Sequence, residues 1–304
     1  MRSRIRGRVV VATVAAVVVL AAAAAASSAP PAFVGPVGPE GGIVFAHGQG
    51  EASHRHSNSP NLIYHGGPVM RSGAAATAIF WGASWAGYRG DKLTGIDSFY
   101  SGVGGTSYAG TNAEYTDSSG AHVGVTVSYA GHLVDTSSAP SHAPQTSTIA
   151  AEVAKMIPNP VANGYYPVYV DTPRGNTRYC AWHSYGTVNG VNVQFAFFFN
   201  LDGDRGCDPG SSGSQSQGLA ALGNVSGHEL SEALTDPALN AWYDGTGEEN
   251  ADKCAWTFGS KLVSFKNGTS WKIQGNWSNS AYDSGRGYTD ASQGVVRGCI
   301  DGTN

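Results

Sequence analysis

The order of apolar and polar residues along the chain predicts four strands and two helices of ordinary length. Short apolar or alternating runs predict strands at 75–82, 122–130, 165–172 and 191–200. The stretch 94–103 predicts a helix. An apolar repeat with helical spacing predicts a second helix over 146–157, which Pro158 ends.

A third and longer helix is predicted before Pro237, and it combines an apolar stripe with glycine and charge. The residues of the stripe are Leu219, Leu222, Leu230 and Leu234. Ser214 or Ser216 is the predicted N-cap, and a helix does not continue through Pro237. Three glycines lower the helical propensity, so we expect close packing against a neighbour or a ligand. They are Gly218, Gly223 and Gly227.

The remaining pattern predicts a β-rich C-terminal tail and a single domain. Residues 261–279 have the pattern of a hairpin. Strands thus mix with three helices, which predicts an α+β fold. We expect a mixed β-sheet flanked by helices, with a zincin-like helix and a C-terminal tail tethered by a disulfide. The domain is predicted to span 61–304, after a flexible linker over 29–60 that is rich in Pro, Gly, Ser and His.

The first 28 residues have the pattern of a secretory signal peptide. A basic start is followed by an apolar run and a zone of small residues. A retained membrane anchor is the alternative, but the second half of the run is mostly alanine, which is weakly hydrophobic. We therefore expect a secreted, extracellular protein without membrane contact after cleavage.

The charge of the chain narrows the range of possible partners. Removal of Arg2, Arg4, Arg6 and Arg8 from 18 basic residues leaves 14, against 22 acidic ones. Such an acidic chain lacks the basic surface that a nucleic-acid partner needs. We expect a monomer whose partner is a peptide or a cell-wall polymer.

Four cysteines in an exported chain predict two disulfides. We favour the pairs Cys180–Cys207 and Cys254–Cys299, because each closes a sequence-local unit, although the two other connectivities remain open. A zinc site built from cysteines is disfavoured, because the chain has no C-x-x-C spacing.

The segment 227–237, GHELSEALTDP, begins like the His-Glu-x-x-His helix of zinc peptidases, but a glutamate replaces the second histidine. His228 and Glu232 are four residues apart, so a helix directs both toward one ion. Glu229 has the position of the general base that activates metal-bound water. The alternative is an ordinary helix with charges on its solvated face.

A metal with an open catalytic position needs a third protein ligand. The loop after the helix offers Asp244, Glu248, Glu249 and Asp252. We favour Glu249 or Asp252, because Cys254 would tether this part of the loop, and His183 is the other candidate. One histidine and two carboxylates balance the charge of Zn²⁺, which we expect ahead of Ca²⁺.

A second acidic stretch, LDGDRGCDPG at 201–210, has part of the pattern of a calcium loop. Its candidate ligands are Asp202, Asp204 and Asp208. The stretch lacks the glutamate that completes an EF-hand loop, so a plain turn is favoured over a calcium site.

Several segments in order resemble the Exordium-like, phosphate-induced protein family. They are LIYHGGPVM, ATAIFWG, YYPVYVDTP, RYCAWHSYG, and ADKC with the tryptophan-containing tail behind it. The resemblance implies an extracellular or cell-wall location without an established reaction. HELSEALTDP with EENADKC is similar to a bacterial secreted branch with an H-E-x-x-E-A-x-T-D-P pattern, whereas plant members lack the His-Glu pair.

Two functional hypotheses follow. The first is a metal-dependent, peptidase-like hydrolase with His228 and Glu232 as ligands, Glu249 or Asp252 as the third ligand, and Glu229 as the general base. The second is a non-enzymatic extracellular or cell-wall-associated binding protein of the Exordium-like type. Its aromatic side chains would then contact a peptide or a glycan.

Overall fold

The structure, a computed structural model, describes residues 35–36, 38–39, 41–49, 61–210 and 213–304. The strands are β1 (Ile43–Phe45), β2 (Ile63–Tyr64), β3 (Ala74–Trp81), β4 (Val127–Asp135), β5 (Gly164–Pro173), β6 (Tyr179–Val188), β7 (Val191–Asn200), β8 (Trp242–Tyr243), β9 (Val263–Ser264), β10 (Ser270–Trp271), β11 (Asn276–Trp277), β12 (Tyr288–Asp290) and β13 (Val295–Ile300). The helices are α1 (Lys92–Val103), α2 (Ser107–Gly110), α3 (Thr146–Met156), α4 (Gln217–Thr235) and α5 (Asn279–Asp283).

Six strands form the central sheet in the order β1-β6-β7-β5-β3-β4. The strands β4, β3, β5 and β7 run parallel, whereas β6 is antiparallel to β7 and β1 is antiparallel to β6. Parallel strands need cover on both faces, and β5 is buried over most of its length. The predicted α+β class with a mixed sheet is confirmed.

Helix α4 lies in the interior of the protein and not on its surface. Every residue from Gly218 to Thr235 is buried, because the helix contacts β1, β6 and β7 of the sheet, helix α1, and β10 of the tail. As predicted, the Ser216 hydroxyl caps the helix by accepting a hydrogen bond from the Leu219 backbone N–H at 3.2 Å. The polar side chains of the helix are therefore buried with the apolar ones.

The glycines of α4 permit its close approach to the C-terminal tail, as the sequence predicts. A Cβ at Gly223 would lie 2.5 Å from the Trp271 ring, and one at Gly227 would lie 2.7 Å from Ile273. Trp271 is itself buried against Phe99. Side chains at the two glycines would push the tail away from the helix.

The two predicted disulfides are confirmed. One joins Cys180 of β6 to Cys207, in the loop before α4. The other joins Cys254, in the acidic loop after α4, to Cys299 of β13. Such bonds are typical of exported proteins. Among the helices of the described chain, none has the length and apolar character needed to span a membrane.

Two boundaries differ from the sequence prediction. The linker predicted over 29–60 contains β1, which pairs with β6 with Val44 opposite Ala181. A three-residue strand is too short for its alternation to be recognised in a sequence. The strand predicted at 122–130 begins only at Val127 and continues to Asp135. The predicted signal peptide lies outside the described residues.

We expect the substitution Gly223→Ala to lower stability by up to about 2 kcal/mol. Overpacking against Trp271 costs about 1–3 kcal/mol, and the gain in helical propensity returns about 1 kcal/mol. Gly110→Ala is the matched control, because Gly110 ends helix α2 and nothing lies within 4 Å of its added Cβ. Urea unfolding of both variants measures the difference, and equal stabilities would refute the proposed contact.

A carboxyl group on α3 is buried beside another acidic side chain. Glu152 of α3 is 3% exposed, and burial together with the Asp135 carboxylate raises its pKa to about 7. Lys155 lies between the two acids and donates to both. A raised folded pKa means that this group stabilises the fold fully below pH 4.5, its unfolded value, and that this contribution disappears as pH rises through 7.

Glu152→Gln should therefore leave stability near that of wild type at pH 5 and raise it above wild type at pH 8. The glutamine amide can donate to Asp135 at both pH values, as the protonated Glu152 does. Free energies of unfolding at the two pH values measure the effect, with Asp283→Asn at an exposed carboxylate as control. A variant that loses stability at pH 8 as wild type does would contradict the assignment.

Candidate metal site

The middle of α4 meets β6, β1 and the acidic loop, and polar side chains from three of these elements converge there. Helix α4 and strand β6 supply the histidines, and the loop after β8 supplies two further acids. The converging side chains are His183, His228, Glu229, Glu232, Glu249 and Asp252. All but Asp252 are at most 2% exposed.

Two groups of three side chains in the described part of the chain have the spacing of metal ligands: His183 with Glu232 and Glu249, and His228 with Glu229 and Glu232. In the first group, His183 Nε2 lies 3.2 Å from Glu249 Oε2 and 3.6 Å from Glu232 Oε2. One ligand atom from each of the three residues lies within 4.8 Å of the others. A tetrahedral zinc ion with bonds of about 2.0–2.1 Å separates its ligand atoms by about 3.4 Å. The two distances from His183 are close to that separation.

The Glu232 carboxylate has one oxygen engaged and one oxygen without a partner. Its Oε1 accepts a hydrogen bond from the Asp252 backbone N–H at 2.9 Å and lies 3.0 Å from His228 Nε2. Its Oε2 has no hydrogen-bond partner and lies toward His183. The hydrogen bond from Asp252 thus orients the carboxylate and leaves Oε2 available.

The amide of Gln274 determines which nitrogen of His228 carries a proton. Its Nε2 donates to the Ala251 carbonyl at 2.8 Å and lies 2.9 Å from His228 Nδ1, and its Oε1 accepts from the Trp256 backbone N–H at 3.2 Å. A flipped amide would oppose both backbone contacts, so the donor toward His228 is fixed. His228 Nδ1 is then an acceptor, and its proton is on Nε2, facing Glu232.

Burial dominates the electrostatics of the cluster. It lowers the pKa of His183 to about 4, so this ring is neutral and able to bind a metal. Burial, and after it repulsion from neighbouring carboxylates, raises the pKa of Glu229, Glu232 and Glu249 above the ordinary value. A positive charge among them would lower these pKa values again.

Two effects on His228 oppose each other. Burial lowers its pKa, but the Glu232 and Asp252 carboxylates outweigh burial and raise it above the ordinary value. A doubly protonated ring would direct Nδ1–H against the amide of Gln274. We assign the neutral ring with its proton on Nε2, because the two backbone contacts of the Gln274 amide fix a donor opposite Nδ1.

Glu229, the predicted general base, is enclosed. It is 0% exposed, and neither of its carboxyl oxygens has a hydrogen-bond partner. The Val44 backbone amide is close enough to lower its pKa, although burial dominates. Its role as a base stays a prediction, as does the zincin-like character of α4. The Asp252 side chain, 17% exposed, is the part of the cluster that reaches solvent.

The other predicted acids of the loop point elsewhere. Asp244 accepts a hydrogen bond from Lys253 Nζ at 2.6 Å, and this cation lowers its pKa against the effect of burial. Glu248 is half-buried and belongs to neither of the converging metal-ligand groups found in the described chain. Among the candidates for the third ligand, Glu249 and His183 belong to the same group of possible ligands, together with Glu232. Asp252 instead contacts the ring of His228.

The second acidic stretch forms turns, as favoured over a calcium site. Asp202 pairs with the buried Lys92 at 2.6 Å, and Asp204 pairs with Arg174. Asp208 accepts from a backbone N–H in its own turn. Two of the three carboxylates are thus paired with basic side chains, and the third is held within its own turn.

Two contributors to the site were not anticipated. Gln274 lies 46 residues from His228 in sequence and follows the buried Ile273 in the tail. Gly42 belongs to the segment assigned to the linker, yet its backbone touches the His183 ring. Gln274 lies between Ile273 and Gly275, with polar Lys272 and Asn276 nearby, so the sequence holds no clear signal for either residue.

Comparison with known proteins identifies a distant relative. The chain is similar to protein EXORDIUM-like 5 of Arabidopsis thaliana, with 26% identity over 243 residues, 67% of this chain and 66% of the length of that protein. No family model matches the chain, and no solved structure matches it. The similarity supports the Exordium-like resemblance, and the assignment to a bacterial branch stays a prediction.

We expect His228 to be the neutral tautomer with the proton on Nε2. Long-range ¹H–¹⁵N correlation spectra of the histidine rings distinguish the two tautomers and the charged ring, and His228→Gln identifies the signals. The reason is the Gln274 amide, which donates to Nδ1. A proton found on Nδ1 would mean that the amide is reversed and that His228 Nε2 is free to bind a metal.

Proposed function

We propose that this chain is an exported, non-enzymatic protein of the Exordium-like type, in which a divalent metal holds α4, β6 and the acidic loop together. The observation that carries the proposal is the convergence of one imidazole and two carboxylates at the spacing of metal ligands. The ligands would be His183 Nε2, Glu232 Oε2 and Glu249 Oε2.

The cost of burying carboxylates supports a cation at this position. Glu232 Oε2 and Glu249 Oε1 lie in the interior without hydrogen-bond partners, and a buried unpaired charge is costly. A divalent ion would neutralise both carboxylates, and with the neutral His183 the site would carry no net charge. The alternative is a metal-free cluster with protonated carboxyl groups and a hydrogen bond between His183 and Glu249.

The donor set favours zinc over calcium. Calcium takes six to eight oxygen ligands, whereas this group has one nitrogen and two carboxylates. Zinc accepts such a mixture in a tetrahedral shell. The fourth position would be filled by Glu249 Oε1 or by water.

The surroundings support an outer-shell role for His228 and Asp252. Metal-binding carboxylates are usually held by hydrogen bonds to their second oxygen. Glu232 Oε1 receives such a bond from the Asp252 backbone, and His228 Nε2 lies 3.0 Å from the same oxygen. A metal-binding His228 would need its proton on Nδ1, opposite the donating amide of Gln274. We therefore assign His228 to the support of Glu232.

The enclosure of the cluster favours a structural metal over a catalytic one. A catalytic zinc keeps a position open for water or substrate, but the three proposed ligands and Glu229 are each at most 2% exposed. A peptide would have no route to Glu229 while the described fold stays closed. Two disulfides and the distant Exordium-like relative support an extracellular setting for such a protein.

Protein purified without a chelating column should contain about one equivalent of zinc. His183→Ala and Glu249→Gln should each lower zinc affinity by more than about 100-fold, because they remove ligands. His228→Gln should lower it by about 10–100-fold, the range for outer-shell partners. Elemental analysis and competition with a fluorescent chelator measure these effects.

Glu248→Gln, one position before Glu249, is the matched control and should bind zinc like wild type. Less than a tenth of an equivalent of any divalent metal, with no uptake on titration, would refute the metal site. Hydrolysis of a peptide library that Glu229→Gln abolishes, with zinc content unchanged, would instead support the hydrolase hypothesis.

A further inference from the structure

Strand β1 lies directly over the metal-site cluster, and a glycine allows its close approach. Gly42 has φ +57°, and a Cβ on it would lie 2.1 Å from His183 Cδ2 and 2.2 Å from His183 Nε2. The Gly42 carbonyl accepts a hydrogen bond from the His183 backbone N–H at 2.9 Å. The backbone of this segment therefore covers the nitrogen that we assign to the metal.

The same segment closes other sides of the cluster. Val44 is 0% exposed, and its backbone amide lies near the Glu229 carboxyl group. The Phe45 carbonyl accepts a hydrogen bond from Trp256 Nε1 at 2.9 Å. Gly41 approaches Glu249, since a Cβ on it would lie 4.0 Å from Oε2. The six residues Gly41–Ala46 thus contact the strand, helix and loop that carry the proposed ligands.

Strand β1 is attached by local contacts, and the pairing of the other strands does not depend on it. β1 is a three-residue edge strand with an irregular register between Val44 and Phe45. Its other backbone bonds are those of Ala46 N–H to Arg178 and of His47 N–H to Gly206. The long ladder between β6 and β7 lies on the opposite side of β6 and would remain if β1 left.

We propose that residues 41–46 are a detachable cap whose displacement opens the proposed metal site on its His183 side. This inference rests on the proposed function and adds to it a second, open state. Once the cap leaves, the imidazole edge of His183 and the Glu249 carboxylate face solvent. The metal would then be accessible to water or to a small anionic ligand from solvent.

Hydrogen exchange on the full chain tests the cap without any substitution. The amides of Ala46, His47 and His183, which bond across the β1 contact, should exchange together. Their exchange should be at least about 100-fold faster than that of Val168 and Phe197 in the sheet centre, because local opening costs less than global unfolding. Exchange of both sets at one rate, with one denaturant dependence, would refute the cap.

A pair of glycine variants tests the link between cap and metal. Gly42→Ala adds a Cβ against His183, whereas Gly48→Ala adds one at a similar positive φ, +73°, with nothing within 4 Å. Zinc removal by excess chelator should be at least about 10-fold faster in Gly42→Ala than in wild type, while Gly48→Ala should match wild type. Equal rates in all three proteins would refute the cap.

The two proposals fail in different ways. A protein without bound metal refutes the proposed function, yet fast exchange at Ala46, His47 and His183 would still support a cap over the cluster. A protein with one tightly bound zinc and uniformly slow exchange supports the metal and refutes the cap. If Gly42→Ala does not fold, exchange in wild type decides alone.

Discussion

The burial of three glutamates beside two histidines is the constraint on which the rest of this structure depends. Glu229, Glu232 and Glu249 are at most 2% exposed, and burial of a carboxylate without compensation is costly. The fold meets this constraint by enclosing the middle of α4 between strands β6 and β1 of the sheet and the acidic loop. A cation at His183, Glu232 and Glu249 would compensate two of these three carboxylates.

The C-terminal tail supplies polar partners to a polar stripe on the same helix. Asn224, His228 and Ser231 follow one another at helical spacing, and each contacts the tail. The Asn224 side chain accepts from the Gln274 backbone, His228 from the Gln274 side chain, and Ser231 from Asn276. Close approach of helix and tail, which Gly223 and Gly227 permit, makes these hydrogen bonds possible. The disulfide to Cys299 holds the acidic loop against this tail.

Much of the fold could be predicted from periodicity and termination signals, and less of the site. Helix α4, its Ser216 cap and both disulfides follow from local sequence features that do not require knowledge of distant contacts. The position of β1 could not be predicted, because a three-residue edge strand gains its stability from the partner strand and not from its own pattern. Of the site, the approach of Glu249 to α4 was anticipated, but the partner of His228 was not.

The spacing of a motif determines which atoms can meet, and the surrounding hydrogen bonds determine what they do when they meet. Four residues along a helix bring His228 and Glu232 into contact, at 3.0 Å between Nε2 and Oε1. In a zinc peptidase the two residues at this spacing are both histidines that bind one ion. The second nitrogen of each ring then donates to an acceptor. Here a donor, the amide of Gln274, lies behind His228, so the ring directs its Nε2 proton, and not a lone pair, toward Glu232. In the proposed site the helix would contribute a single ligand, and the other two would come from β6 and the loop. A metal bound in this way joins three segments distant in sequence, which is the arrangement expected of a structural site.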